Sequence, residues 1–540
     1  MTFLISILWL VVFTKKLFFW VWLWQLKEYH IGRFLDHFRT EKGKKLLLSP
    51  WLAVKAVALF GIFFYPHLYL FYFVLAIFFF ESLLAIRHSF RKTLKIPVLT
   101  RKTSLILTAG MSLELLALTV FFNLGFSLKK FTLYLLGLDI LAPLVFSFLV
   151  LLFQPLTVAL REQLIRKAKK KRERFKDLLV IGITGSYGKT STKEFLATIL
   201  AKKYKVLKTK EHQNSEVGIS RRILRDLNEE YDIFVVEMGA YNKGGIKLLC
   251  DIAKPRIGIV TGVNEQHLST FGTMENLLSA EGGGELAASL PEDGLAIFNY
   301  DNPLVKKDRI KDYNARLKNV KFYSLFEKES DLWAKEIKIE KEALSFKAVA
   351  KDGEQAIFNL NLLGIHNIHN MLAAAICAKY LGMGLAEIAK AAAQIEPWQS
   401  GMQLKEGTGG LNIIDATYSA NPSGVMSHLD YLKVWPGKRV LAMPCLIELG
   451  KASKEVHQRI GKKIADVCDL AIITTKDRFK EIKEGAGELP QTQPREREAE
   501  VVFMEKPAEI VDKIKSFAKP GDVILLESRV PSEVINSLIR

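Results

Sequence analysis

The residues most able to do chemistry lie in one run, Thr184-Gly185-Ser186-Tyr187-Gly188-Lys189-Thr190-Ser191. The apolar stretch from Leu178 to Ile183 precedes it and reads as a buried strand, and Thr192 to Lys203 follows and reads as an amphipathic helix. A strand, a glycine-rich turn and a helix N-terminus together make a phosphate cradle. Backbone N–H groups and the helix dipole face the anion, Lys189 reaches the outer phosphates, and the Thr190 hydroxyl can hold Mg²⁺. The general G-x-x-x-x-G-K-[ST] spacing is not met, because Ile183 stands where its first glycine belongs.

A second piece of the same chemistry is Glu237, which ends the apolar segment Asp232-Ile-Phe-Val-Val-Glu237. A carboxylate at the C-terminal end of a strand beside a phosphate loop is where a Mg²⁺ ligand is needed. On its own, a strand ending in Glu would mean little.

The elements that must position these groups alternate along the chain. Strand-like segments at 178–183, 232–237, 257–263 and 294–299, with helical segments between them, predict a mostly parallel sheet covered on both faces. A second alternating set, with strands near 411–416, 438–443, 470–475 and 522–527, predicts a smaller doubly wound, Rossmann-like α/β domain. The cluster Gly401, Gly407, Gly409 and Gly410 places the boundary near 398–410. The expected organisation is an apolar helical part at 1–160, a basic linker at 161–177, a central ATP-binding domain at 178–400 and a C-terminal domain at 401–540.

The first 160 residues are rich in Leu, Phe, Ile, Val and Trp, unlike the remainder. Five stretches approach the ~20 apolar residues that a spanning helix needs: 2–25, 51–65, 68–86, 104–122 and 131–157. Lys15 and Lys16 fall in the middle of the first, which could instead lie tilted or at the interface. Basic loops at 26–50, 87–103 and 161–176 alternate with charge-poor ones, so the expectation is a multi-pass cell-membrane protein with its N-terminus outside and its nucleotide-binding part in the cytoplasm. The formal charge of +19 gathers near these segments and suits anionic lipid headgroups. No nucleic-acid-binding motif accompanies it. Glu81, Glu114 and Asp139 fall in or at the ends of apolar spans. Interfacial placement or helix pairing is expected for Glu81 and Asp139, and Glu114 stays open as a functional candidate. Four scattered cysteines without a C-x-x-C pair argue against a disulfide framework or zinc site.

The T-G-x-x-G-K-T-S form resembles the Mur ligases, ATP-driven ligases of cell-wall precursors, and within them the MurF type, which joins a dipeptide to a UDP-muramoyl-tripeptide. The likeness covers 178–540 in eight ordered blocks. After the loop come Asn214-Ser215-Glu216-Val217-Gly218, Glu237-Met238-Gly239, Asn264-Glu265-Gln266-His267-Leu268 and Asn299-Tyr300-Asp301-Asn302. They are followed by Gly364-Ile365-His366-Asn367 with Asn370, Asp415-Ala416-Thr417-Tyr418-Ser419-Ala420-Asn421-Pro422, and Ile447-Glu448-Leu449-Gly450 with His457. The resemblance implies that a carboxylate is activated by phosphoryl transfer from ATP and that an amine attacks the resulting acyl phosphate. It implies that Thr184, Gly185, Ser186, Gly188, Lys189, Thr190 and Ser191 bind the nucleotide phosphates, with Lys189 catalytic. Thr190 and Glu237 would hold Mg²⁺, and His267 would serve a second metal or the acyl-phosphate end. Asn367 and Asn370 would meet the adenine or ribose, and Asn421 and Asp415 would face the incoming amine. Read without the family, His267 is a loop histidine, His366 and His369 are helix caps, His457 is structural and Asn421-Pro422 is a helix start.

The sequence departs from the family in three places. The resemblance implies a lysine before the glutamate of K-x-E-[LI] that, as a carbamate, helps hold a second metal; it is Gly283 here, within Glu281-Gly282-Gly283-Gly284-Glu285, so Glu281 or Glu285 would have to supply that negative charge. The arginine of G-R-M is replaced in Ser400-Gly401-Met402, and K-G-S-R reads Leu526-Glu527-Ser528-Arg529. Apolar spans stand where the family carries its UDP-sugar-binding domain, which opens the way to a lipid-linked as well as a small-molecule precursor. Four functions therefore stay open: a membrane-anchored MurF-like ligase, a nucleotide-binding scaffold with weakened catalysis, a ligase for another acceptor, and an ATPase-driven transporter. No second signature loop supports the last. Oligomeric state is not legible.

Overall fold

The computed structural model describes residues 1–47, 49–91, 93–211, 213–305, 317–418, 421–487 and 499–540. It divides into two compact units, Met1–Gln163 and Leu164–Arg540.

The first unit is helical. Its long helices are Thr2–Leu26, Pro50–Phe64, Leu68–Phe90, Arg101–Asn123 and Leu128–Leu152, each on one of the expected apolar spans. Five helical stretches here are long and apolar enough to cross a membrane by length and composition. Several of the starts are written in the sequence. Ser49 caps Pro50–Phe64 with Pro50 in its first turn, Thr100 and Thr103 form a capping box, and Ser127 caps the last helix. The helix Thr2–Leu26 is the hub. Ile5, Trp9, Leu17 and Val21 on it are fully buried, and they pack with Phe78, Ile106, Leu135 and Phe146 of the other helices. This central position explains how a helix carrying Lys15 and Lys16 is accommodated, because charges in its middle meet partners on neighbouring helices. The outer faces keep large apolar groups such as Phe60, Phe80, Leu116, Leu144 and Phe148 exposed.

The second unit holds two sheets. The first contains β1 (Leu179–Thr184), β2 (Val206–Lys208), β3 (Ile233–Glu237), β4 (Ile257–Val260), β5 (Leu295–Asn299), β6 (Asn319–Ser324), β7 (Leu332–Ile339), β8 (Leu344–Ala350) and β9 (Gln355–Leu360). Their order is β2-β3-β1-β4-β5-β6-β7-β8-β9. Pairing is parallel from β2 through β7 and antiparallel between β7, β8 and β9. The sheet is thus mixed, and the antiparallel end at 332–360 is a feature that the strand–helix alternation did not foretell. The first four expected strands coincide with β1, β3, β4 and β5. Both faces of this sheet are buried around β1, β3, β4 and β5, one under the helices Lys189–Leu200, His366–Tyr380 and Leu385–Ala392 and the other under Glu216–Asp226, Gly245–Ala253 and Met274–Ala280. That burial accounts for the continuous apolar runs in β1, β3 and β4.

The second sheet contains β10 (Gln403–Glu406), β11 (Asn412–Ala416), β12 (Arg439–Met443), β13 (Leu470–Ile473), β14 (Glu500–Phe503) and β15 (Val523–Glu527), in the order β10-β11-β15-β12-β13-β14. Only the β10–β11 pair is antiparallel. The expected strands match β11, β12, β13 and β15.

Candidate active site

Strand order places the phosphate loop. β1 lies between β3 and β4, where the winding of the sheet reverses, and the loop after β1 opens at that crevice. The loop's shape depends on glycine. Gly185 has φ +141°, and a Cβ there would sit 2.2 Å from Thr261 Oγ1; Gly188, at φ +75°, stands before the helix Lys189–Leu200 with its Cβ position 2.4 Å from Asn370 Oδ1. Thr261 ties the loop down, donating from Oγ1 to Tyr187 O at 2.5 Å and to Thr184 O at 3.1 Å. Ser186 N donates to Gly262 O at 2.7 Å. Thr184 itself is fully buried at the strand end, and Ser191 lies in the first helical turn. Lys189 Nζ donates to Gly185 O at 2.5 Å, so the cation rests on the loop that it would help to close around an anion.

The register of β1 with β3 pairs Ile183 with Glu237, which sets Glu237 beside the loop. Thr190 Oγ1 donates to Glu237 Oε2 at 3.0 Å, and Asn214 Nδ2 donates to Glu237 Oε1 at 3.0 Å. The Lys193 ammonium, fully buried, lies 3.4 Å from Glu237 and 3.1 Å from Glu194. A hydroxyl and a carboxylate held in contact suit Mg²⁺, which takes one or two carboxylates and fills its remaining positions with phosphate and water. Among the described residues no group of three or more His, Cys, Asp and Glu side chains could hold a metal, so a cation here would rely on the nucleotide for ligands.

His267 lies elsewhere in the site. It has φ +65° and its Nδ1 is 3.1 Å from Glu281 Oε1, with Nε2 3.9 Å from Glu448. Glu281 accepts from Ser186 Oγ at 2.7 Å, so His267 joins the phosphate loop through Glu281 and not through Thr190 and Glu237. Burial pushes the Glu281 carboxyl up, but the charge and hydrogen bond of His267, with Lys189 and Ser186, outweigh it and hold the group below the usual carboxylate range. Of the two acids that could replace the missing lysine, Glu281 is therefore the one in the site. Glu285 accepts from Gly244 N at 2.6 Å and Lys247 N at 2.9 Å, at the start of the helix Gly245–Ala253. Gly283 cannot carry the lysine in this backbone. Its φ is +90°, and a Cβ would lie 2.4 Å from Val260 Cγ2 and 3.1 Å from Phe298. Gly401 also has positive φ, +76°, but its Cβ would meet only Tyr418 Cδ1 at 3.6 Å.

Asn421 is both a cap and a bridge. Its Oδ1 accepts from Gly424 N at 2.9 Å, starting the helix Pro422–Leu432, and from Asn264 Nδ2 at 3.1 Å. Asn264 also donates to Ser423 Oγ at 3.0 Å, and its N–H donates to Ser186 Oγ at 3.3 Å. A continuous path thus runs Asn421, Asn264, Ser186, Glu281, His267. It joins the second sheet's first helix to the phosphate loop. Asn264 stood in a recognisable block, yet nothing in its spacing told of a bridging role, because its partners come from distant segments.

The other expected site residues are held by neighbours within the fold. Asp415 Oδ2 accepts from Lys405 at 2.5 Å, and Oδ1 accepts from Thr417 N at 3.1 Å and Thr417 Oγ1 at 2.7 Å. It fixes the turn after β11. Asn367 is fully buried and donates to Leu363 O at 2.8 Å. Asn370, also buried, accepts from Thr192 Oγ1 at 3.4 Å and donates to Asn367 Oδ1 at 3.2 Å, bracing the phosphate loop from behind. The capping role read for His366 and His369 is not found. His366 Nδ1 lies 3.0 Å from Ser427 Oγ, and His369 Nε2 lies 2.8 Å from Asp301 Oδ2. His457 is structural, as read: Nε2 accepts from Leu446 N at 3.0 Å, and Nδ1 is 2.6 Å from Ser453 O. Ser419 and Ala420 of the same block as Asn421 lie outside the described residues.

Comparison with known proteins accords with this geometry. Residues 183–378 match the Mur ligase middle domain and 402–529 the Mur ligase glutamate ligase domain. The chain is 32% identical over 374 residues to the UDP-N-acetylmuramoyl-tripeptide–D-alanyl-D-alanine ligase of Synechocystis, covering 66% of this chain and 73% of the relative. It is 28% identical to the Bacillus subtilis ligase of the same name, covering 65% and 72%. Among solved structures, MurF from Acinetobacter baumannii superposes with a TM-score of 0.61 at 24% identity, over 70% of this chain and 79% of that one. MurF from Thermotoga maritima in complex with ADP gives 0.59 at 25% identity, over 70% and 83%.

Proposed function

The chain belongs to the Mur ligase family and is an ATP-dependent ligase of MurF type, and from that premise we propose a membrane-anchored amide-bond ligase that works through an acyl phosphate on a cell-wall precursor. The path from Asn421 through Asn264 and Ser186 to Glu281 and His267 supports this reading most directly, because it brings an amine-side element and a phosphate loop into one hydrogen-bonded site.

In the proposed reaction a substrate carboxylate oxygen attacks the γ-phosphorus of ATP. ADP leaves, and the carboxyl carbon becomes an acyl phosphate. The amine then adds to that carbon, and the tetrahedral intermediate expels phosphate, which carries away one former carboxylate oxygen. Lys189 and the loop N–H groups neutralise charge that grows on the transferring phosphoryl group. Thr190 and Glu237 would hold Mg²⁺, which when bound neutralises phosphate charge and fixes its orientation. Glu281 keeps His267 turned toward the loop. Its carboxylate supplies the negative charge that the family draws from a lysine carbamate, the lysine being absent at Gly283. Asn421 sets the entrance of the amine-side helix.

The apolar helical unit would hold the ligase at the inner face of a cell membrane. The relatives named above act on a UDP-linked muramoyl-tripeptide and D-alanyl-D-alanine, and this pair is the first substrate set to supply. A lipid-linked muramoyl peptide is the second, motivated by the five apolar helices. The test is phosphate release and product mass with full-length protein in detergent, given each acceptor with and without the dipeptide. Coupled release with a new amide product is expected for one acceptor. ATP binding without turnover for every pair would instead favour a nucleotide-binding scaffold, the reading suggested by the absent arginine at Gly401.

A further inference from the structure

An anchor needs only apolar helices, yet this bundle places charge at half depth. Lys15 and Lys16 lie at the middle of Thr2–Leu26, Glu81 of Leu68–Phe90, Glu114 of Arg101–Asn123 and Asp139 of Leu128–Leu152, and Lys55 lies within Pro50–Phe64. Every long helix of the unit contributes at least one ionisable group. Each such group in an apolar interior costs on the order of several kcal/mol unless it is paired.

Most of them are paired. The fully buried Lys55 ammonium donates to Asp139 Oδ2 at 2.5 Å and to Glu81. Lys16 Nζ lies 2.7 Å from Asp139 Oδ2 and donates to Asp139 O at 2.9 Å. That carbonyl is available because Pro143, four residues on, has no N–H to give it. The proline and the lysine are thus two halves of one device, a broken backbone bond refilled by a side chain from another helix. Thr14 Oγ1 donates to Glu114 Oε2 at 2.7 Å. Close approach of the helices keeps the region tight, since a Cβ on Gly110 would lie 2.6 Å from Leu17 Cδ1.

Two acceptors are left over. Among the described residues, Asp139 Oδ1 and Glu114 Oε1 are buried without a hydrogen-bond partner, in side chains that are 0% and 2% exposed. Both are carboxylate oxygens, so the missing partner must bring a donor or a positive charge. We propose that the helical unit contains a proton-binding site at half depth, with Glu114 as its proton acceptor, Thr14 as the group that holds it in place, and Asp139 as the neighbouring carboxylate that Lys16 and Lys55 already neutralise. The helices packed against Glu114 carry Thr14, Lys15 and Lys16 on one side and Asp139 on the other. Those around Asp139 carry Lys15, Lys16, Lys55, Glu81 and Glu114. On this reading the apolar unit takes up and releases a proton within the membrane, a function separate from holding the ligase in place.

The probe is dicyclohexylcarbodiimide, an apolar reagent that modifies protonated carboxyl groups in low-dielectric surroundings. Full-length protein in nanodiscs is labelled across the neutral pH range, and the modified residue is found by mass spectrometry. Labelling at Glu114 that falls several-fold as pH rises, and that millimolar Na⁺ does not block, is the expected result. Glu114→Gln should remove the adduct, while ATP hydrolysis by the second unit continues. Because the unsubstituted protein provides the primary reading, misfolding of the variant does not cost the test. Absence of an adduct at Glu114 at every pH overturns the proposal. So does labelling that Na⁺ suppresses without pH dependence, which would make the occupant a metal cation.

Discussion

At the residue scale, the decisive contacts are those of Lys189 and Glu281. Replacing Lys189 with Met removes the loop cation while leaving the glycine backbone intact. It should reduce ATP turnover by on the order of a hundredfold or more, the scale of losing a charge-stabilising group from a transition state, with little change in melting temperature. Glu281→Gln keeps the shape but loses the charge facing His267 and Lys189. Its turnover should fall while nucleotide affinity changes little, as read by kinetics beside a binding titration. The two departures at glycine separate in the same way. Gly283→Lys must force a Cβ into Val260 from a positive φ, so it should destabilise the protein and not restore activity. Gly401→Arg has room and costs only the left-handed backbone, ~1 kcal/mol, so its melting temperature should drop slightly. Thr190, Glu237 and Lys189 could be read from the sequence because a phosphate cradle has a local signature. Asn264 and Glu281 could not be assigned their roles, since their partners lie at Asn421, Ser186 and His267, which only the folded chain brings near.

At the scale of elements, two helix starts carry testable weight. Asn421 caps Pro422–Leu432 and also holds Asn264, so Asn421→Ala should cost at least the ~1 kcal/mol of a lost cap, seen as a lower denaturation midpoint, and should lower turnover as well. His366 begins His366–Tyr380 and is half-buried against Ser427. Burial, with His428 and His369 nearby, holds its pKa well below the ordinary histidine value. The unfolded chain therefore takes up the proton first as the solution is acidified. The stability that His366 lends is complete above the ordinary value of ~6.5 and is lost as pH falls from there toward the lower folded value. Thermal melts of the full-length protein should decline through that window, and His366→Gln should flatten the decline. Strands β1, β3, β4 and β5 were legible as apolar runs between helical segments. The hairpins of β7 to β9 were not, because alternating polar residues such as Lys335, Lys338 and Lys347 dilute the signal on an edge that is buried on only one face.

At the scale of the whole molecule, two unlike units share one chain. The unit Leu164–Arg540 carries two sheets and a candidate site that draws on both. The helical unit is apolar on its outer faces and encloses a few ion pairs among the packed apolar side chains of its interior. The charges at Lys15, Lys16, Glu81 and Asp139 were visible as interruptions in apolar spans, but their convergence was not, since pairing between helices leaves no periodic trace. The central claim is that ATP energises a carboxyl group as an acyl phosphate. It is tested most directly with a muramoyl-peptide substrate labelled with ¹⁸O in its reacting carboxyl group. The account predicts that the phosphate released with the new amide contains one ¹⁸O atom. Amide formation with unlabelled phosphate would contradict it.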